Sequence, residues 1–127
     1  MNRKLIVTGL ICVIIAILLG AFGAHALKKV VSEEALKTFE VGVRYQLYAS
    51  FGLIIFGLNA KKITTNWNVF YILMLLGILF FSGSIYLLAL NEFIPISKKI
   101  LGPLTPIGGT LQISSWVYLL LSTVKKR

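Results

Sequence analysis

LIVTGLICVIIAILLGAFGA, residues 5–24, is a run of twenty residues without a charged side chain. As an α-helix it would be about 30 Å long, which matches the hydrocarbon thickness of a membrane. A signal peptide is the alternative, because Arg3 and Lys4 precede the run and Ala24-His25-Ala26 resembles a cleavage site. The run is longer than the apolar region of most signal peptides, so we predict an uncleaved membrane span.

Three further stretches are apolar enough to span a membrane, at about residues 45–60, 67–90 and 106–124. Because unpaired backbone amides are not tolerated in lipid, each span is expected to be a helix. The last helix is predicted to begin at Pro106, since proline is favoured in the first turn. These spans predict an all-α integral membrane protein, a single domain that forms a bundle of four transmembrane helices.

The composition agrees with a membrane protein. The 127 residues are 57% hydrophobic and 13% charged, whereas soluble domains are about 45–50% apolar and about 25% charged. So few charges could not cover the exterior of a soluble domain of this length.

The segment between the first two spans, VSEEALKTFEVGVR at residues 31–44, has the pattern of an amphipathic helix. Ser32 can cap its first turn, where acidic residues are favoured by the helix dipole. Arg44 follows Glu40 at the i,i+4 spacing that stabilises a helix surface. We predict an amphipathic helical segment that lies at the membrane interface and continues into the second span.

The net charge of +9 comes from cations that flank the apolar runs. In a soluble protein such an excess would suggest nucleic-acid binding. Here the cations cluster just outside the spans, where they would meet anionic headgroups: Arg3-Lys4, Lys28-Lys29, Lys61-Lys62, Lys98-Lys99 and Lys125-Lys126-Arg127. We expect membrane lipids as partners and no nucleic acid.

Four spans place both termini on the same side of the membrane. That side carries seven Lys or Arg residues, and the other side carries six. Cytoplasmic segments are enriched in Lys and Arg. We therefore expect a multi-pass protein of the cell (inner or plasma) membrane with its termini in the cytoplasm.

Small residues predict close packing between the spans. Ala16, Gly20 and Ala24 are spaced four apart on the first span, and such spacing lets helix backbones approach one another. The later spans carry further small or hydrogen-bonding candidates for helix packing: Ser82, Gly83, Gly108 and Gln112. The alternative is a polar pathway or pocket between the third and fourth helices.

A candidate ligand-binding site is predicted where the first span ends and the second begins, from His25, Glu40, Arg44, Tyr45 and Gln46. His25 could bind a ligand or relay protons, or it could bond a helix carbonyl or a headgroup. Glu40 and Arg44 could form an interfacial ion pair or contact a lipid phosphate. The sequence does not determine whether these five side chains lie close together.

The chain contains one histidine, one cysteine (Cys12) and no aspartate. Neither a metal cluster nor a cysteine pair can be assembled from these residues. We therefore predict no metal and no cofactor, and we assign no catalytic residue.

Four blocks of the sequence resemble those of a known family: GAFGAHALK (20–28), VGVRYQLYASFGL (41–53), FSGSIYLLAL (81–90) and GPLTPIGGTLQISSW (102–116). The family is known as domain of unknown function 423, a group of small membrane proteins. The resemblance implies four spans and brings no activity or cofactor. Similar proteins often carry a histidine where this chain has Ala49, so the resemblance does not support a mechanism with two histidines.

Small residues suited to close helix packing are abundant, and no group of residues with the spacing of a catalytic site is found. This combination favours a non-enzymatic function. We predict a structural or accessory membrane protein that packs against itself or a larger complex. A small transporter or channel is one alternative. A lipid- or quinone-binding protein with a polar interfacial site is another.

Overall fold

The computed structural model describes residues 1–125, which form four long helices and two short 3-10 turns. The helices are α1 (Arg3–His25), α2 (Glu33–Leu58), α3 (Trp67–Ala89) and α4 (Lys98–Lys125). The turns Leu27–Lys29 and Ala60–Lys62 lie between α1 and α2 and between α2 and α3. Two of the C-terminal cations counted above, Lys126 and Arg127, lie outside the described residues.

All four helices are long and apolar enough to cross a membrane. No strand occurs among residues 1–125. The prediction of an all-α, four-span fold is therefore confirmed. The amphipathic segment forms the first half of α2 without a break, and the Ser32 hydroxyl caps it by accepting a hydrogen bond from the Ala35 N–H at 3.1 Å.

Each helix packs most extensively against its neighbour in sequence. Helices α2 and α3 lie in the middle, with 39% of the residues in their most apolar segments buried, compared with 17% in α1 and α4. The outer helices expose large apolar side chains, such as Ile17 and Leu18 of α1 and Leu120 and Leu121 of α4. These side chains suit lipid tails, which explains why so much apolar surface is left uncovered.

Two apolar clusters hold the bundle together, one at each end. The cluster on the side of the chain termini contains Leu5, Leu53, Phe70, Met74 and Leu119. The cluster at the opposite end contains Leu27, Phe39 and Ala89. Because Phe39 belongs to this second cluster, the first half of α2 is fixed against the neighbouring helices and does not lie apart from them.

The prediction that the fourth helix begins at Pro106 is wrong, because α4 begins at Lys98. Pro103 and Pro106 both lie inside the helix. Proline keeps a helical φ but has no N–H, so each one deprives the carbonyl four residues earlier of its donor. Those carbonyls belong to Lys99 and Gly102, which are exposed near the start of the helix. A missing donor costs least there, since water or headgroups can replace it.

Candidate functional site

A polar junction joins the first three helices near the middle of α2. The Gln46 amide donates to the Cys12 carbonyl of α1 at 2.8 Å and accepts from the Tyr86 hydroxyl of α3 at 2.6 Å. One turn away, the Ser50 hydroxyl donates to the Gln46 carbonyl at 2.6 Å. Gln46 is only 4% exposed. Both ends of its side chain are therefore used to tie helices together.

A second polar seam joins α3 and α4. The Gln112 amide donates to the Gly77 carbonyl at 3.2 Å, and the Ser115 hydroxyl donates to the Phe70 carbonyl at 3.0 Å. Within residues 1–125, every buried side-chain nitrogen or oxygen atom has a hydrogen-bond partner. These two bonds join the backbone of α3 to side chains of α4 and therefore contribute to helix packing.

The backbones of α3 and α4 touch at Gly108. A Cβ atom there would lie 2.2 Å from the Phe81 nitrogen and 2.7 Å from the Phe80 carbonyl carbon. Gly83, also predicted to pack, is different, since a Cβ atom would meet nothing within 4 Å. Ser82 is buried and donates to the Gly42 carbonyl at 2.9 Å. The close contact therefore depends on Gly108 and not on Gly83.

The buried small residues of α1 repeat every seven positions rather than every four. Gly9, Ala16 and Gly23 are buried, Gly20 is half-buried, and Ala24 is exposed. Four residues advance a helix by about 400°, so each step of four turns the side chain about 40° away from the previous one. Seven residues leave a deviation of only about 20°. Ala24 consequently lies off the interface, and the spacing of Gly9, Ala16 and Gly23 was the signal that sequence reasoning missed.

The structure does not bring the five predicted ligand residues to one place. Arg44, Tyr45 and Gln46 follow one another in α2, so each side chain is rotated by about 100° from the last. Gln46 points inward to the junction, whereas the Tyr45 ring packs against Phe81 of α3 with ring centroids 5.4 Å apart. Arg44 lies with Glu40 along the α1 side of α2. The four predicted residues of α2 therefore lie at three separate locations.

His25 is the last residue of α1 and is exposed. It does not line the groove that contains Glu40 and Arg44. In the part of the chain that the structure describes, no three His, Cys, Asp or Glu side chains are grouped so that they could hold a metal ion.

Two open grooves on the bundle surface carry the remaining polar side chains of interest. The first, here called the α4 groove, has a volume of about 340 Å³, and its lining includes Tyr45, Tyr48, Phe81, Gly109, Gln112 and Trp116. The second, here called the Arg44 groove, has a volume of about 310 Å³, and its lining includes Gly20, Gly23, Glu40, Val43, Arg44 and Leu47. Both grooves lie on membrane-spanning helices.

Four spanning helices, a hydrogen-bonded interior and an apolar exterior define a small multi-pass membrane protein. The family model described as "Protein of unknown function (DUF423)" matches residues 19–109. The chain belongs to this family, as the four sequence blocks indicated.

The similar curated proteins are also membrane proteins. The UPF0382 membrane protein of Staphylococcus haemolyticus is 42% identical over 123 residues, which cover 97% of each chain. A relative from Bacillus subtilis, the UPF0382 membrane protein YwdK, is 35% identical over 130 aligned residues, covering 97% of this chain and 98% of that protein. No solved structure matches the chain significantly. The names of these relatives therefore describe membrane proteins and give no activity.

Proposed function

We propose that the protein is a non-enzymatic accessory protein that packs, through its lipid-facing surface, against a second copy or a larger membrane complex. The observation that carries this proposal is the closed interior, in which each buried polar side-chain atom of residues 1–125 is hydrogen-bonded. A transporter or channel would need polar groups free to meet its cargo. What remains available to a partner is the outer surface.

The α4 groove is the part of that surface best suited to a protein partner. It brings together aromatic rings from three helices, among them Tyr48, Phe81 and Trp116. Aromatic side chains are enriched in protein interfaces, where a few of them supply most of the binding energy. Gly109 lies in the groove without a side chain, so a neighbouring helix can approach closely.

Filling the α4 groove is expected to abolish the association. In Gly109→Leu the first added atom would lie 3.5 Å from the Phe81 ring, an ordinary contact, and the rest of the side chain would occupy the groove. Gly102→Leu is the matched control, because Gly102 lies on the same helix with nothing within 4 Å of a Cβ atom. Light scattering in detergent and co-purification from native membranes should both show loss of the larger species with Gly109→Leu alone.

A wild-type protein that is strictly monomeric and carries no co-purifying partner would contradict the accessory function. An association that persists in Gly109→Leu would be consistent with the accessory function. It would show that the α4 groove is not the surface that binds the partner.

We further propose that the protein resides in the cell (inner or plasma) membrane with both termini in the cytoplasm. The terminal side carries the larger number of cations, and all four glutamates belong to the opposite side. On the terminal side, the Lys4 ammonium bonds the Asn68 side chain at 2.6 Å and lies 4.6 Å from the centre of the Tyr71 ring. Such interfacial anchoring supports a fixed orientation.

The orientation can be tested with single cysteines in a Cys12→Ser background. In intact cells, Lys28→Cys should react with a membrane-impermeant maleimide. Lys61→Cys should react only after the membrane is permeabilised, because the two positions lie on opposite sides of the bundle. The reverse labelling pattern would place the termini outside.

A further inference from the structure

Glu40 and Arg44 lie in the Arg44 groove below the level at which α1 ends. A Cβ atom on Gly20 would lie 3.5 Å from the Val43 side chain, so Arg44 lies level with the part of α1 around Gly20. His25, where α1 ends, is five residues further along the chain, which corresponds to about 7 Å. The two charges are therefore positioned near the boundary between headgroups and hydrocarbon.

The order of the lining residues along α2 follows the order of chemical groups in a phospholipid. Going into the membrane, the exposed carboxylate of Glu40 comes first, the exposed guanidinium of Arg44 comes one turn deeper, and the apolar side chain of Leu47 follows. One helical turn separates Glu40 from Arg44 by about 6 Å. In phosphatidylethanolamine the ammonium is outermost, the phosphate is deeper, and the acyl chains come last.

We propose that the Arg44 groove binds one phospholipid with a primary ammonium headgroup, such as phosphatidylethanolamine. Arg44 binds the phosphate, for which its forked guanidinium is geometrically suited. Glu40 accepts hydrogen bonds from the ammonium, which a quaternary choline headgroup cannot donate. Gly20 and Gly23 leave room beside the two charges, because neither carries a side chain that would occupy the groove.

Each charge gains a partner that the surrounding lipid tails cannot offer. An arginine at this depth is costly unless it reaches a phosphate or a carboxylate. A bound zwitterion satisfies Glu40 and Arg44 at once and leaves the complex without added net charge. Charge complementarity therefore favours a zwitterionic lipid over an anionic one.

Lipid binding to the full chain can be measured by native mass spectrometry in detergent, with phosphatidylethanolamine, phosphatidylcholine and phosphatidylglycerol of identical acyl chains. Phosphatidylethanolamine should bind about tenfold more tightly than phosphatidylcholine, the difference expected for one charge-assisted hydrogen bond. Arg44→Gln should weaken both zwitterionic lipids. Glu40→Ala, which removes the hydrogen-bond acceptor, should abolish the preference for the primary ammonium.

Two further variants make the test specific. Lys37→Gln is the control, since Lys37 is an exposed cation of α2 outside the groove lining, and it should change nothing. The exchanged pair Glu40→Arg with Arg44→Glu keeps both charges on the helix but inverts their order. It should lose the preference for phosphatidylethanolamine while retaining the wild-type helix content and melting temperature.

Several outcomes would overturn the proposal. Equal affinity for the three lipids would mean that the groove is not a specific site, and tighter binding of phosphatidylglycerol would indicate general attraction to cations. Preference for phosphatidylethanolamine that persists in Glu40→Ala or in the exchanged pair would mean that Glu40 does not recognise the ammonium.

Discussion

Gly108→Ala is expected to lower the free energy of unfolding by about 3 kcal/mol or more. The added Cβ atom would lie 2.2 Å from the nitrogen of Phe81 and 2.7 Å from the carbonyl carbon of Phe80. Overpacking costs about 1–3 kcal/mol when side chains can rearrange. Here the obstacle is the backbone of α3, which cannot rotate out of the way, so α3 and α4 must move apart. Reversible unfolding in mixed detergent micelles would measure the loss.

Gly83→Ala is the matched control for this substitution. A Cβ atom on Gly83 meets nothing within 4 Å, and alanine is a better helix former than glycine by about 1 kcal/mol. The control should therefore be neutral or slightly stabilising. Equal destabilisation by the two substitutions would mean that α3 and α4 do not meet at Gly108.

Gln46→Leu is expected to lower the free energy of unfolding by about 2 kcal/mol. It removes hydrogen bonds to two other helices and leaves the Tyr86 hydroxyl without its acceptor. An unpaired polar group of this kind costs about 1–3 kcal/mol, although single interhelical bonds in membranes average about 0.6 kcal/mol. The loss should exceed that average because Gln46 serves both α1 and α3.

A double-mutant cycle with Tyr86→Phe separates the hydrogen bond from the change in packing. If Tyr86 donates to Gln46, the double variant should be less destabilised than the sum of the single variants by about 1 kcal/mol. Tyr48→Phe is the control, because Tyr48 is an exposed tyrosine on the same helix as Gln46. It should change the free energy of unfolding by less than about 0.5 kcal/mol. Additive effects of Gln46→Leu and Tyr86→Phe would show that the junction does not form.

The candidate site could be predicted only in part. The residue types that enter the membrane at the start of the second span were visible in the sequence, but their convergence was not. Arg44, Tyr45 and Gln46 follow one another on a helix and therefore point in three directions. Tyr86, the partner of Gln46, comes forty residues later, and no local pattern links the two.

By itself, the sequence determined that four helices cross a membrane. That conclusion depends on properties that add up along a single segment, namely the transfer of apolar side chains into lipid and the need of each backbone amide for a partner. Only the tertiary structure decided which side of α2 meets each neighbouring helix. If α2 were rotated by about 100° about its axis, Tyr45 would take the direction in which Arg44 now points. The hydrophobicity and the length of α2 would not change. The rotation of α2 is fixed instead by contacts between distant residues, such as those of Gln46 with Cys12 and with Tyr86.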